Sequence, residues 1–307
     1  MKSFRPTFFC TLFLLVSSMV FGETHCPGPG NVVPVQYHPL PHSHIGISVT
    51  VNGSGPYEFM VDTGAQITVI DPALDGELKL ETAGSLNIVT VASNVEVPLV
   101  SAAVVGVGPV SIHRMQMAVE DLGSIQVEYS KLRGILGNNF LSRFDLLIDN
   151  SHRMLCFDES RRMQQSLRGE RVPILSNAAS SSDSVSAPAI LVSVHLPDDG
   201  KEGSVLRLDS GSNVPLLYID HQTRASPQAQ NRVTGSTIGK QAQFVYAYTP
   251  ERNVRLGTQK EMQIAFATPA GNGRLYSKSG EDGVLPTTLF KRVFISAADH
   301  FVMFDPR

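Results

Sequence analysis

Two short stretches carry the residues best suited to chemistry. Phe59-Met60-Val61-Asp62-Thr63-Gly64-Ala65 ends an apolar run on a carboxylate, then adds a hydroxyl residue, a glycine and a small residue. Leu206-Arg207-Leu208-Asp209-Ser210-Gly211-Ser212 repeats that order. Either stretch alone is a good turn or helix cap. Together they predict one site built from two halves, because two carboxylates brought close together cannot both ionise cheaply and so share a proton. In such a pair the charged member is a base toward water. The protonated member is an acid toward the carbonyl oxygen under attack. This chemistry requires no metal, no cofactor and no covalent intermediate, and none is expected. Thr63 and Ser210 should tie the two loops together through hydroxyl hydrogen bonds, while Gly64 and Gly211 allow the tight turns. At the last position, the Ser212 hydroxyl is expected to stabilise the charged form of Asp209, whereas Ala65 offers Asp62 nothing comparable.

Two matching loops need two matching sets of strands. Residues 32–37 and 45–51 read as strands, and Asn52-Gly53 is a strong hairpin turn leading into 57–61, which delivers Asp62. Asn52-Gly53-Ser54 also fits a glycosylation acceptor, but the turn is a sufficient reason for it. Residues 86–91 and 95–100 flank Ala92-Ser93-Asn94, a hairpin and candidate flap. The segment Gly134-Ile135-Leu136-Gly137-Asn138-Asn139-Phe140-Leu141 follows, and two short strands close the half. After a polar, arginine-bearing connection and a Ser-rich run at 176–186, the pattern replays. Asp209 lies 147 positions after Asp62 (209 − 62), Gly283 lies 149 after Gly134 (283 − 134), and Phe304 lies 147 after Phe157 (304 − 157). Landmarks sharing nearly one offset indicate an internal duplication, and two copies imply two lobes rather than an array.

The totals agree with a folded, two-domain β protein. The chain has 307 residues, of which 42% are hydrophobic and 17% charged, so a core is attainable and global disorder is excluded. With 25 Gly, 19 Pro and no Trp, the composition suits turn-rich β structure. A net charge of −3 gives no reason to expect nucleic acid or an anionic membrane as partner. Lys2 and Arg5 precede an apolar run and a small residue at Gly22, the pattern of a secretory signal peptide over 1–22. The expected product is exported, periplasmic or secreted, with no stable membrane anchor after cleavage. Cleavage there would leave Cys26 and Cys156, which either bridge in an oxidising compartment or leave Cys156 as a buried strand thiol; both readings stay open. His38, His42 and His44 share a Pro-containing loop without a carboxylate or cysteine at ligand spacing, so no metal site is expected.

The doubled Asp-Thr/Ser-Gly motif, with its later apolar-apolar-Gly segments Gly134-Ile135-Leu136 and Gly283-Val284-Leu285, resembles the aspartic peptidase superfamily. That superfamily includes single-lobe dimeric retropepsins and two-lobe pepsins. The first half is most similar to retropepsin-like bacterial proteases, and the whole chain resembles a secreted bacterial form with two such units fused. The resemblance implies an all-β fold of two pseudo-symmetric β-barrel lobes, 27–160 and 171–307, joined by a linker at 161–170, with the active site in the cleft between them. It implies an aspartic endopeptidase acting on polypeptides, with Asp62 and Asp209 as the catalytic pair. The residues Thr63, Gly64, Ala65, Ser210, Gly211 and Ser212 form the supporting loops. Having both aspartates on one chain removes the need to dimerise, so a monomer is expected. The alternative from another class is a non-catalytic peptide- or protein-binding module on the same duplicated fold. Two departures stand out. Pro286 replaces the counterpart of Gly137, and no Tyr lies between Tyr57 and Tyr129 to serve as a pepsin-type flap tyrosine. Tyr246 and Tyr248 lie instead near a second hairpin around Ile238-Gly239-Lys240, so the identity of the covering hairpin is open.

Overall fold

A computed structural model describes residues 26–28, 32–89, 94–175, 185–196, 203–218, 230–237, 240–258, 260–269 and 280–307. The expected signal segment 1–22, Ala92-Ser93 of the candidate flap, the Ser-rich run up to 184 and Ile238-Gly239 lie outside the described residues.

The first half begins with alternation made physical. In the strand Ile45–Val51, Ile45, Ile47, Val49 and Val51 point inward and are almost fully buried. Asn52 (φ 51°) and Gly53 (φ 79°) both take the left-handed backbone that a two-residue hairpin turn requires. The Asn52 carboxamide oxygen accepts the Val104 N–H at 3.0 Å, which binds this turn to the neighbouring strand. The returning strand Ser54–Val61 is flanked on both sides, antiparallel to Ile45–Val51 and parallel to Leu132–Leu136. A strand paired on both edges and covered on both faces reads as a continuous apolar run, which explains Phe59-Met60-Val61. Eight strands form this sheet, and pairing of Ile45–Val51 with Asn94–Val107 closes it into a barrel.

The second half repeats the central pairing in a nine-stranded sheet. Ser204–Asp209 runs parallel to Gly283–Pro286, with Asp209 opposite Pro286. A third sheet of six strands draws on both halves, and its seam is the antiparallel pairing of Asp145–Asp149 with Arg292–Ser296. The largest apolar cluster is likewise shared, running from Val61 and Phe140 to Leu208, Leu285 and Val302. The lobes are therefore joined by a common sheet and a common core, which holds the two Asp loops in a set relation.

The stretch 161–170 is more firmly held than a polar linker. Met163–Ser166 forms a helical turn whose Met163 is buried together with Leu167, and Arg168 and Arg307 exchange backbone hydrogen bonds of 2.7 Å. Arg161 pairs with Asp299 at 2.9 Å, and Arg171 stacks 4.5 Å from the Phe301 ring centre. Of the two readings left open for the cysteines, the structure holds the bridge, with Cys26 bonded to Cys156 across 130 positions. Both hairpins form. Glu81–Val89 pairs with Asn94–Val107, and Gln230–Thr237 pairs with Lys240–Tyr248. The Gln230–Thr237 strand reaches across to the helical turn Gly123–Gln126 of the first half. Tyr246 is buried on the hairpin's second strand, and Tyr248 is 42% exposed. Among the described residues no helix is long and apolar enough to cross a membrane.

Candidate active site

Each aspartate stands at the end of a central strand, where the chain leaves the sheet. The Asp62 N–H still donates to Leu136 O at 3.0 Å, so the loop starts from a fixed point. Asp62 Oδ1 then accepts the N–H groups of Gly64 at 2.7 Å and Ala65 at 3.0 Å. Asp209 Oδ1 accepts the Gly211 N–H at 2.7 Å. The two carboxyl groups lie close enough to act on each other, and Asp62 is among the causes that raise the Asp209 pKa. Gly64 and Gly211 are required for a reason beyond the turn. A Cβ on Gly64 would collide with the Asp209 carboxyl, and one on Gly211 with that of Asp62. Each glycine makes room for the aspartate of the opposite lobe.

Thr63 and Ser210 tie the loops as expected, and do so reciprocally. The Thr63 N–H donates to Ser210 Oγ and the Ser210 N–H to Thr63 Oγ1, both at 3.0 Å. The hydroxyls then donate onward across the cleft floor, Thr63 to Leu208 O at 3.0 Å and Ser210 to Val61 O at 2.9 Å. Both residues are buried, so these four bonds are out of competition with water. Asn138, also buried, donates to Thr63 O at 2.7 Å and braces the loop from behind. The second half has Thr287 next to Pro286 at the corresponding place, and its buried hydroxyl has no partner.

One expectation is corrected. The Ser212 hydroxyl donates to Val214 O at 3.0 Å and gives Asp209 no hydrogen bond. Ala65, through its backbone N–H, does hold Asp62. The asymmetry between the two loops is the reverse of the one expected, because main-chain donors rather than the variable side chain decide it. Burial, followed by the charge of Asp62, holds the Asp209 carboxyl well above the usual carboxylate range, against the pull of Arg207 and the Gly211 N–H. Asp209, with one backbone donor, is therefore the member that carries the shared proton.

Three further residues complete the site. Arg207, two positions before Asp209, forms a bidentate pair with the fully buried Glu281 and donates from Nη1 to Gly64 O of the opposite loop at 2.9 Å. A charged residue inside an apolar strand, two positions before the aspartate of the repeated motif, was a visible signal in the sequence, but its partner was not. His44 reaches from the first half to Gly211, with Nε2 at 3.0 Å from the carbonyl oxygen. A carbonyl only accepts, so Nε2 carries the proton. Nδ1 faces the Tyr129 hydroxyl at 2.7 Å and Pro41 O at 3.2 Å. Burial lowers the His44 pKa, with the Pro41 carbonyl and Asp62 acting in the opposite direction. His38 and His42 turn to Glu58 and Glu128 instead, so the three histidines of the loop have separate partners. Among the described residues no group of three or more His, Cys, Asp or Glu is arranged to hold a metal ion.

The family model described as "gag-polyprotein putative aspartyl protease" matches residues 47–143, which include the Asp62 loop and its Asn138 brace. No curated protein matches the sequence. Among solved structures, the crystal structure of a retropepsin-like aspartic protease from Rickettsia conorii is 22% identical, with a TM-score of 0.31, covering 41% of this chain and 90% of that one. The crystal structure of aspartic proteinase from Irpex lacteus is 12% identical, with a TM-score of 0.52, covering 89% of this chain and 97% of that one. The chain has the mostly-β, two-lobe fold of the pepsin-like aspartic proteases, with one closed barrel and one half-barrel.

Proposed function

We propose that the protein is an aspartic endopeptidase that hydrolyses peptide bonds with a water activated between Asp62 and Asp209. The observation that carries this reading is the pair of aspartates, each against the glycine of the opposite loop, held by the reciprocal Thr63–Ser210 bonds. Asp62, with two backbone donors, is the charged member and removes a proton from the water as its oxygen bonds to the substrate carbonyl carbon. Asp209 gives its proton to the carbonyl oxygen, forming a neutral gem-diol. In the second step Asp62 returns its proton to the amide nitrogen and the C–N bond breaks. A diol hydroxyl returns a proton to Asp209, which restores the starting state. No charge has to accumulate on the substrate, so the site needs no metal.

The substrate is a polypeptide bound in the cleft, the chain acts as a monomer, and 1–22 directs export to the periplasm or beyond. The Cys26–Cys156 bridge supports export, since such bonds persist in oxidising compartments. The lobes are taken as 27–160 and 171–307, related by duplication, which the matching parallel pairings behind each aspartate support. The test is cleavage of a diverse peptide library across acidic to neutral pH. Cleavage by the parent that disappears in Asp62→Asn and in Asp209→Asn upholds the mechanism. Cleavage that persists in either variant removes it.

A further inference from the structure

On the flank of the first-half barrel lies a cavity of about 550 Å³, between the strand Val110–Val119, the helical turn Asn138–Leu141 and the segment 185–187. Among the described residues its ionisable lining is Arg114, Arg143 and His113, with no carboxylate. Among the described residues none of these three side chains has an acidic partner or a hydrogen bond. Gathering like charges without counter-charge is unfavourable, and here it occurs in a protein whose net charge is −3. Arg114 adds a second peculiarity. It sits at φ 52° in the middle of an extended strand, a left-handed backbone that residues other than glycine seldom adopt. Strain of this kind persists where the surrounding structure holds it for a purpose.

The cavity is wired to the aspartate loop by two short routes. The Ala187 N–H donates to Gln66 O at 2.9 Å, one residue beyond Ala65. Asn139 Oδ1 accepts both the N–H and the hydroxyl of Thr68 at 2.8 Å, and its neighbour Asn138 holds Thr63. The cavity therefore adjoins the chain just beyond the Asp62 loop, at Gln66 and Thr68.

We propose that this cavity is a secondary binding site for an acidic stretch of the polypeptide substrate, whose carboxylates pair with Arg114, Arg143 and His113. The proposal rests on the endopeptidase reading and adds a substrate class to it: polypeptides with Asp or Glu clustered outside the residues that flank the scissile bond. The guanidinium groups are exposed, so each pair is screened, and the combined preference is about 3- to 10-fold.

The experiment uses two peptides with the same neutral central sequence, one flanked by Glu and Asp and the other by Gln and Asn. The parent is expected to cleave the acidic peptide with the higher kcat/KM, through KM, and the advantage should shrink as salt rises. In the double variant Arg114→Gly/Arg143→Gln the advantage should vanish while cleavage of the amide-flanked peptide is unchanged. Glycine accepts the backbone of position 114 without strain, so this variant is expected to fold. Equal cleavage of both peptides by the parent overturns the proposal, as does a preference that survives in the double variant. If neither peptide is cut, the endopeptidase reading fails by itself. Anisotropy of the two labelled peptides on the same proteins then decides the cavity. A 3- to 10-fold tighter grip on the acidic peptide, lost in the double variant, upholds it, and equal binding overturns it.

Discussion

At the scale of single residues, the site depends on side chains whose charges are matched in the interior. Arg207 is the clearest case, because its guanidinium compensates Glu281, whose side chain is completely buried, and also holds the opposite loop through Gly64 O. Removing one member of a buried ion pair leaves an uncompensated charge, at a cost of about 3–5 kcal/mol. Arg207→Ala is therefore expected to lose about that much in urea unfolding, whereas Arg207→Met combined with Glu281→Leu recovers most of it. A single variant as stable as the parent would show that the pair does not hold the loop. Reading the sequence placed Asp62, Asp209, Thr63 and Ser210 because their order is local and repeated. It did not place Glu281 or His44, because their roles come from contacts that the chain makes only after folding. The Ser212 expectation failed for a related reason. A side-chain hydroxyl two bonds from its own backbone has nearer partners than the carboxylate it was assigned to.

At the scale of elements, the shared six-stranded sheet carries a carboxyl in an apolar setting. Asp145 starts the strand Asp145–Asp149 at the seam between the halves, and accepts the Ser296 hydroxyl of the other half at 2.6 Å. Its second oxygen is buried without a partner. Burial pushes its pKa up from 3.8 to about 6, the Ser296 bond opposing and the charges of Asp158 and Asp299 assisting. A raised folded-state value means that the folded protein binds this proton more tightly than the unfolded chain. The stabilisation is complete below the unfolded value of 3.8, declines as pH rises toward about 6, and is lost above it. Asp145→Asn should remove this dependence, so its stability relative to the parent should improve by on the order of 1–3 kcal/mol between pH 4 and pH 7. Parallel stability curves for the two proteins would contradict the assignment. The hairpins and central strands were legible from alternation and from Asn52-Gly53. The seam was not, since the pairing of Asp145–Asp149 with Arg292–Ser296 joins strands far apart in sequence and leaves no local signal.

At the scale of the whole molecule, two halves with matching aspartate strands are held as one body by the common core, the six-stranded sheet and the disulfide. The Cys26–Cys156 bond closes a loop of 130 positions, and loop-closure entropy alone makes that worth on the order of 4–5 kcal/mol. Reduction should lower the urea midpoint accordingly, and intact mass with and without alkylation should show no free thiol at these two positions before reduction. An unchanged midpoint would mean that the bridge does not constrain the unfolded chain. Such rigidity keeps the Asp62 and Asp209 loops in one relation, as the proposed mechanism requires.

The most direct test of the account is the pH–rate profile of peptide cleavage by the parent, Asp62→Asn and Asp209→Asn, with thermal unfolding as the control for folding. The parent should show a bell-shaped profile, because the pair must hold one proton and not two or none. Each folded variant should lose about 10²- to 10⁴-fold or more. A folded Asp62→Asn or Asp209→Asn protein that still cleaves at the parental rate would contradict the account.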